Sequence, residues 1–107
     1  MTVPGDLDTV FRALADPTRR EVVHRLSAGP ASASALAREL PVTRQAVVKH
    51  LDALARAGLV TSRVEGREVR FQLTPGPLLD VSAWTARVGG EWDRRLDALG
   101  RYLRGRD

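Results

Sequence analysis

No cysteine occurs among the 107 residues. That excludes disulfides, thiolate zinc sites, cysteine nucleophiles and thiol redox switches. Long apolar runs are also missing, and nothing approaches the ~20 consecutive residues that a membrane-spanning helix needs. The opening Met1-Thr2-Val3-Pro4-Gly5-Asp6 has neither a basic nor an apolar stretch. No export signal, no membrane partner and a cytoplasmic location are therefore expected. Histidine is scarce: His24 and His50 are the two in the chain. A metal site wants three or four nearby N, O or S ligands, so no metal site and no cofactor is expected. There is no glycine-rich phosphate loop, no glycine-flanked serine and no acid pair with an evident cleft. No enzyme is expected.

What is present describes one folded domain spanning 1–107. Hydrophobic residues make up 43% and charged residues 28% of the chain, ordinary proportions for a globular protein. The 17 Lys and Arg against 13 Asp and Glu leave a net charge of +4, with a pI near 10.9. Lys49 is the sole lysine. Arginine forks onto phosphates and guanine edges better than lysine, and a pI above about 9 points toward nucleic acid.

Periodicity divides the chain. Leu7, Val10, Phe11 and Leu14 repeat at helical spacing. Asp16 then reads as the cap of a second helix, with Pro17 at its first position and Val22, Val23 and Leu26 inward. Ser32 or Ser34 caps a short third helix carrying Leu36, Ala37 and Leu40, which Pro41 ends. Thr43 caps a fourth helix that runs to about Ala57 and stops at Gly58. About three residues separate these two helices, which is helix-turn-helix spacing. After Gly58 the period falls from 3.6 to 2. Val60, Ser62 and Val64, then Val69, Phe71 and Leu73, alternate with polar residues around the turn Glu65-Gly66-Arg67, which predicts a β-hairpin. Thr74-Pro75-Gly76-Pro77 breaks the pattern, and residues 78–105 return to helix. The predicted fold is mainly α with a small β-hairpin: a dimeric winged helix-turn-helix in the order α-α-α-α-β-β-α.

At ~100° per residue, Gln45, Lys49, Asp52 and Arg56 of the fourth helix fall within about 60° of one another. Val47, Leu51 and Leu54 fall opposite. One face reads polar and the other apolar, so Gln45 and Lys49 point outward in the first turns. Gln pairs bidentately with adenine in the major groove, and Lys takes guanine or phosphate. Thr43 stands at the helix N-terminus, where the dipole favours phosphate. Arg44, in the first turn, lies beyond the core and suits the phosphate backbone. His50, at the edge of the face, suits either a phosphate contact or packing. Arg63, Arg67 and Arg70 straddle the hairpin turn and suit phosphates or a minor groove, unless Glu65 and Glu68 pair with them across the strands. The candidate DNA-binding set is Thr43, Arg44, Gln45, Ala46, Lys49, His50, Arg63, Arg67 and Arg70. Residues Arg38 to Arg70 hold seven basic and four acidic side chains, a net +3. The alternative, a winged-helix protein–protein interaction module, would prefer an acidic surface there.

Trp84, Val88, Trp92, Leu96, Leu99 and Leu103 make one stripe on the last helix. A domain this small cannot easily cover it alone. A symmetric homodimer is expected through that stripe, with Leu7, Val10, Phe11 and Leu14 of the first helix added. Gly89-Gly90, in the middle, predicts a kink or a close approach to a partner.

Phe11-Arg12-Ala13-Leu14-Ala15-Asp16-Pro17-Thr18-Arg19-Arg20 resembles the opening of the ArsR/SmtB family of bacterial winged-helix repressors. Thr43-Arg44-Gln45-Ala46-Val47-Val48-Lys49-His50-Leu51 resembles that family's recognition helix. Ala57-Gly58-Leu59-Val60, and Glu65-Gly66-Arg67 with Phe71, resemble its helix end and wing. The resemblance covers Leu7 to Leu103. It implies a homodimer built on the first and last helices, which represses by occupying a pseudo-palindromic operator of double-stranded DNA. It also implies two recognition helices in successive major grooves, about 34 Å apart. Many members sense metals through cysteines of the third helix or through histidines and acids of the last. Here the third helix reads Ala35-Leu36-Ala37-Arg38-Glu39-Leu40, and the last has no histidine, so the resemblance is to a non-metal-sensing subgroup.

Overall fold

The computed structural model describes residues 5–105. The expected domain of 1–107 reaches past these bounds at both ends, and the reading that Met1 to Pro4 carry no export signal lies outside the described residues. The elements are α1 (Gly5–Leu14), α2 (Pro17–Leu26), β1 (Ala31–Ser32), α3 (Ala33–Glu39), α4 (Arg44–Arg56), β2 (Val60–Glu65), β3 (Glu68–Leu73) and α5 (Gly76–Arg104).

Capping chemistry sets the helix starts. The Asp16 carboxylate accepts the Arg19 backbone N–H at 2.9 Å, and Pro17 occupies the first turn, where no N–H is needed. Arg20 donates back to the carbonyls of Leu14 and Ala15 at 2.8 and 3.0 Å. The α1–α2 corner is thereby held from both sides: one side chain caps a helix start, the other a helix end. Ser32 Oγ accepts from Ala35 N–H at 3.1 Å, which decides the cap of α3 in favour of Ser32. Thr43 Oγ1 accepts from Ala46 N–H at 3.1 Å and starts α4. Gly58, with φ +77°, takes the left-handed conformation just past α4 that glycine adopts without a Cβ penalty.

The core lies between α2, α3, α4 and the hairpin. Leu36, Leu51, Leu54, Leu59, Val22 and Val47 are its fully buried members. All three buried α4 residues belong to the face that the sequence reads as apolar. The sheet has three strands, not the expected two: β1 pairs antiparallel with β3, Ala31 opposite Phe71 and Ser32 opposite Arg70, giving the order β1-β3-β2. A two-residue strand is too short to show a period of 2. It exists because the chain entering α3 passes the exposed edge of β3. Within the hairpin, Glu65 faces Glu68, so Gly66-Arg67 is a two-residue loop. Gly66 has φ +62° and Arg67 does not share the positive φ, as a type II′ turn requires.

Helix α5 is continuous across Gly89-Gly90, and a side chain added at Gly89 would meet nothing within 4 Å. Its 29 residues span about 43 Å. The first half rests on the domain. Leu78 and Val81 pack on the core, and Trp84 meets Phe11 edge-on with centroids 5.6 Å apart. The second half projects. The radius of gyration is 19.2 Å and the long axis 71 Å, against about 13 Å expected for a compact chain of this length. None of its described residues is buried, and Trp92, Leu96, Leu99 and Leu103 remain more than half exposed.

Two members of the expected dimer set, Leu7 and Val10, lie inside the fold. Leu7 and Val10 are only 6% and 3% exposed within one protomer. Their surface is already buried where α1 packs against α2 and α5, and little is left for a partner. Phe11, Leu14, Trp84 and Val88 are half-buried.

Candidate nucleic-acid interface

Helix α4 presents its N-terminal turns outward because its opposite face is consumed by the core. Gln45 and Lys49 are exposed, one turn apart, and Ala46 between them is half-buried. Lys49 makes no ion pair among the described residues. Thr43 uses its hydroxyl oxygen as the cap acceptor, which leaves its O–H able to donate. The first backbone N–H groups of a helix have no intrahelical partner and carry a partial positive charge. Arg44 Nε donates to Ser34 Oγ at 3.1 Å. That bond ties α3 to the start of α4 and leaves Arg44 exposed to solvent.

The charged and amide residues of the outward face suggest that it is wholly polar, but it is not, because Val48 is part of it. Val48 is 43% exposed. At ~100° per residue it falls about 60° from Gln45, so the projection itself contains the signal. Across from it, Val69 of β3 is 45% exposed. Ser34, Arg44, Val48, Arg67 and Val69 together line a groove between the helix-turn-helix and the wing.

The three wing arginines separate. Arg63 Nη2 is 2.8 Å from Glu65 Oε1, and Arg70 Nε is 3.1 Å from Glu65 Oε2, with Glu68 a further neighbour of Arg70. Strand alternation puts Arg63, Glu65, Glu68 and Arg70 on the face opposite Val64, Val69 and Phe71. Their charges are matched within the hairpin: Arg70–Glu65 is the cross-strand pair that the sequence left open, and the other two pairs lie within one strand. Such exposed pairs contribute at most about 1 kcal/mol each. Arg67, at the tip, is exposed and makes no ion pair among the described residues.

His50 is turned away from Gln45 and Lys49. Its Nδ1 lies 3.8 Å from Asp16 Oδ2, and its side chain is 23% exposed. The structure therefore gives it a place at the junction of α4 with the start of α2. At this junction the Arg19 backbone N–H holds the Asp16 carboxyl below its ordinary range. Partial burial opposes that shift, and the nearby His50 and Arg19 charges add to it. A carboxyl lowered in the folded state stabilises fully above the unfolded value of about 4 and loses that contribution as pH falls through the folded value. Asp16→Asn keeps a capping oxygen but cannot titrate. Relative to that variant, the native chain should lose thermal stability as pH drops from about 5 to 3. Parallel melting temperatures for the two proteins across that range would overturn the assignment.

Among the described residues, no three His, Asp or Glu side chains come together as metal ligands, and no helix is long and apolar enough to cross a membrane. Comparison with known proteins adds to this geometry. A helix-turn-helix domain family matches residues 14–63. The HTH-type transcriptional regulator Rv2034 of Mycobacterium tuberculosis is 48% identical over 88 residues, covering 78% of this chain and 82% of its own. The transcriptional repressor SdpR of Bacillus subtilis is 27% identical over 90 residues, covering 84% of this chain and all of its own. Among solved structures, an ArsR-like transcriptional regulator from Rhodococcus sp. RHA1 superposes with a TM-score of 0.76 at 47% identity. That match covers 88% of this chain and 89% of the other.

Proposed function

Because the chain belongs to the ArsR family of winged helix-turn-helix transcriptional regulators, we propose that it is a homodimeric repressor that sets one α4 into each half of a pseudo-palindromic operator. Binding of double-stranded DNA to regulate transcription, rather than catalysis, comes with the family. The observation that carries the finer reading is the exposed first turns of α4 beside an unmatched arginine at the wing tip.

In this reading Gln45 and Lys49 contact base edges, the one suited to adenine and the other to guanine or phosphate. Thr43 and Arg44 hold phosphates at the positive end of α4. Arg67 anchors the wing on the backbone or in the minor groove. Arg63 and Arg70 add less, since Glu65 already answers both. His50 fixes α4 against α2 through Asp16 and keeps the recognition helix in place. The partner is a second copy docked on the bare half of α5, where Trp92, Leu96, Leu99 and Leu103 leave an apolar stripe exposed to water. Stripes of this kind mark association surfaces. Regulation without metal is supported by the lack of any thiolate and of histidine in α5.

The test is fragment selection from random duplex DNA, followed by binding titrations at several salt concentrations. Gln45→Ala should cost roughly 1–3 kcal/mol and relax the preference at one base position, whereas Arg67→Ala should weaken all sequences alike and lower the salt slope by about 1. A Gln45→Ala protein that keeps the full sequence preference would refute base reading by that residue.

A further inference from the structure

We propose that Val48 reads a pyrimidine C5-methyl group, supplied by thymine in ordinary duplex DNA, and so sets a second specificity position beside Gln45. The inference rests on the reading of α4 as the recognition helix.

Three observations support it. The other aliphatic residues of α4 that face inward, Val47, Leu51 and Leu54, are at most 1% exposed, whereas Val48 is 43% exposed. Val48 therefore belongs to the presented surface and not to the core. It sits one turn from both Arg44 and Asp52 and one turn past Gln45, at the edge of the outward face. The groove beside it is lined by Arg44, Arg67, Glu68, Val69 and Phe71, so a bound duplex would meet an apolar spot with two cations and one carboxylate at its rim.

Base-edge chemistry selects the ligand. In the major groove the edges of the base pairs offer donors, acceptors and one apolar group, the C5-methyl of thymine. A valine there gains nothing from a donor or an acceptor, and it would bury either against its methyls at a cost. It gains by removing a methyl from water. Three residues advance a helix by about 4.5 Å, and stacked base pairs by about 3.4 Å. The thymine should therefore lie one or two steps from the base pair that Gln45 contacts. Removing one methyl from water corresponds to about fourfold in affinity.

The experiment uses the full chain and the tightest duplex recovered by selection. Each thymine of a half-site is replaced in turn by uracil, which deletes the C5-methyl and nothing else. In a second arm, each cytosine is replaced by 5-methylcytosine. For the native protein, one uracil position should weaken binding about fourfold. The same replacement should leave Val48→Ala unaffected, because the methyl's partner is gone. A gain confined to the 5-methylcytosine arm, absent in Val48→Ala, would assign the same contact to a methylated site. Uracil effects of equal size in both proteins, or none in either arm, would overturn the proposal. If Gln45→Ala still relaxes its own position in that case, the loss falls on Val48 alone. If no duplex is selected at all, the reading beneath it falls as well.

Discussion

Replacing Leu96 with Asp is expected to turn a dimer into a monomer and to abolish tight operator binding. Leu96 is 60% exposed in the protomer and lies on the projecting half of α5, in line with Trp92, Leu99 and Leu103. In a two-fold assembly each substitution occurs twice. Two carboxylates would then be placed in an apolar seam. An unpaired buried charge costs several kcal/mol, which is enough to dissociate a modest interface. The effect on DNA follows from geometry. A dimer engages two half-sites together, and the second contact is intramolecular. Losing it should cost a factor of roughly 10²–10⁴ in operator affinity without touching α4. Sedimentation over a range of protein concentrations reads the first effect, and titration with whole and half operators reads the second. The core around Leu36 and Leu54 is remote from the change, so circular dichroism should still report a folded domain. Unchanged sedimentation together with unchanged operator affinity would remove α5 from the interface.

Leu54→Ala is the second large effect, and it acts on stability. Leu54 is fully buried on the inner face of α4, beside Val47 and Leu51. Truncating a buried leucine costs about 2–5 kcal/mol, the sum of lost transfer energy and the cavity left behind. Small domains have about 5–15 kcal/mol in total. At about 4–8 °C per kcal/mol, the melting temperature should fall by about 8 °C or more. DNA binding should weaken with it, because α4 has no other seat. Asp52→Ala, on the same helix but exposed and paired with Arg56 at 3.2 Å, should change stability by less than about 1 kcal/mol. Equal melting temperatures for the two variants would show that α4 is not seated as described.

Much of the local structure was legible in the residues. Asp16, Ser32 and Thr43 each cap the helix they precede, because a short oxygen side chain at that position satisfies an N–H that the helix cannot. The alternation in Val60–Glu65 and Glu68–Leu73 is a hairpin, because only a strand puts every second side chain on one face. The outward positions of Gln45 and Lys49 followed from the angle of Val47, Leu51 and Leu54. Val48 is legible in the same projection, about 60° from Gln45.

Other features were not legible. Strand β1 depends on the edge of β3 passing close by, which two residues of sequence do not encode. Arg70 reads like Arg67 along the chain, and only the strand register brings it to Glu65, whereas Arg63 meets Glu65 two positions on within β2 and Arg67 stands bare at the tip. His50 lay on the boundary of the helical projection, and only the tertiary fold brings it to 3.8 Å from Asp16.

By itself, then, the sequence determined which residues shun water and which caps and turns bound each helix, since these depend on neighbours within a few positions. Tertiary structure decided what each apolar stripe is buried against. Leu7 and Val10 on α1 and Leu96 and Leu99 on α5 carry the same pattern, yet the first two vanish into the protomer and the last two stand in solvent. The period of a helix states that one side must be covered. Only the packing of distant segments states whether the cover comes from the same chain or from another.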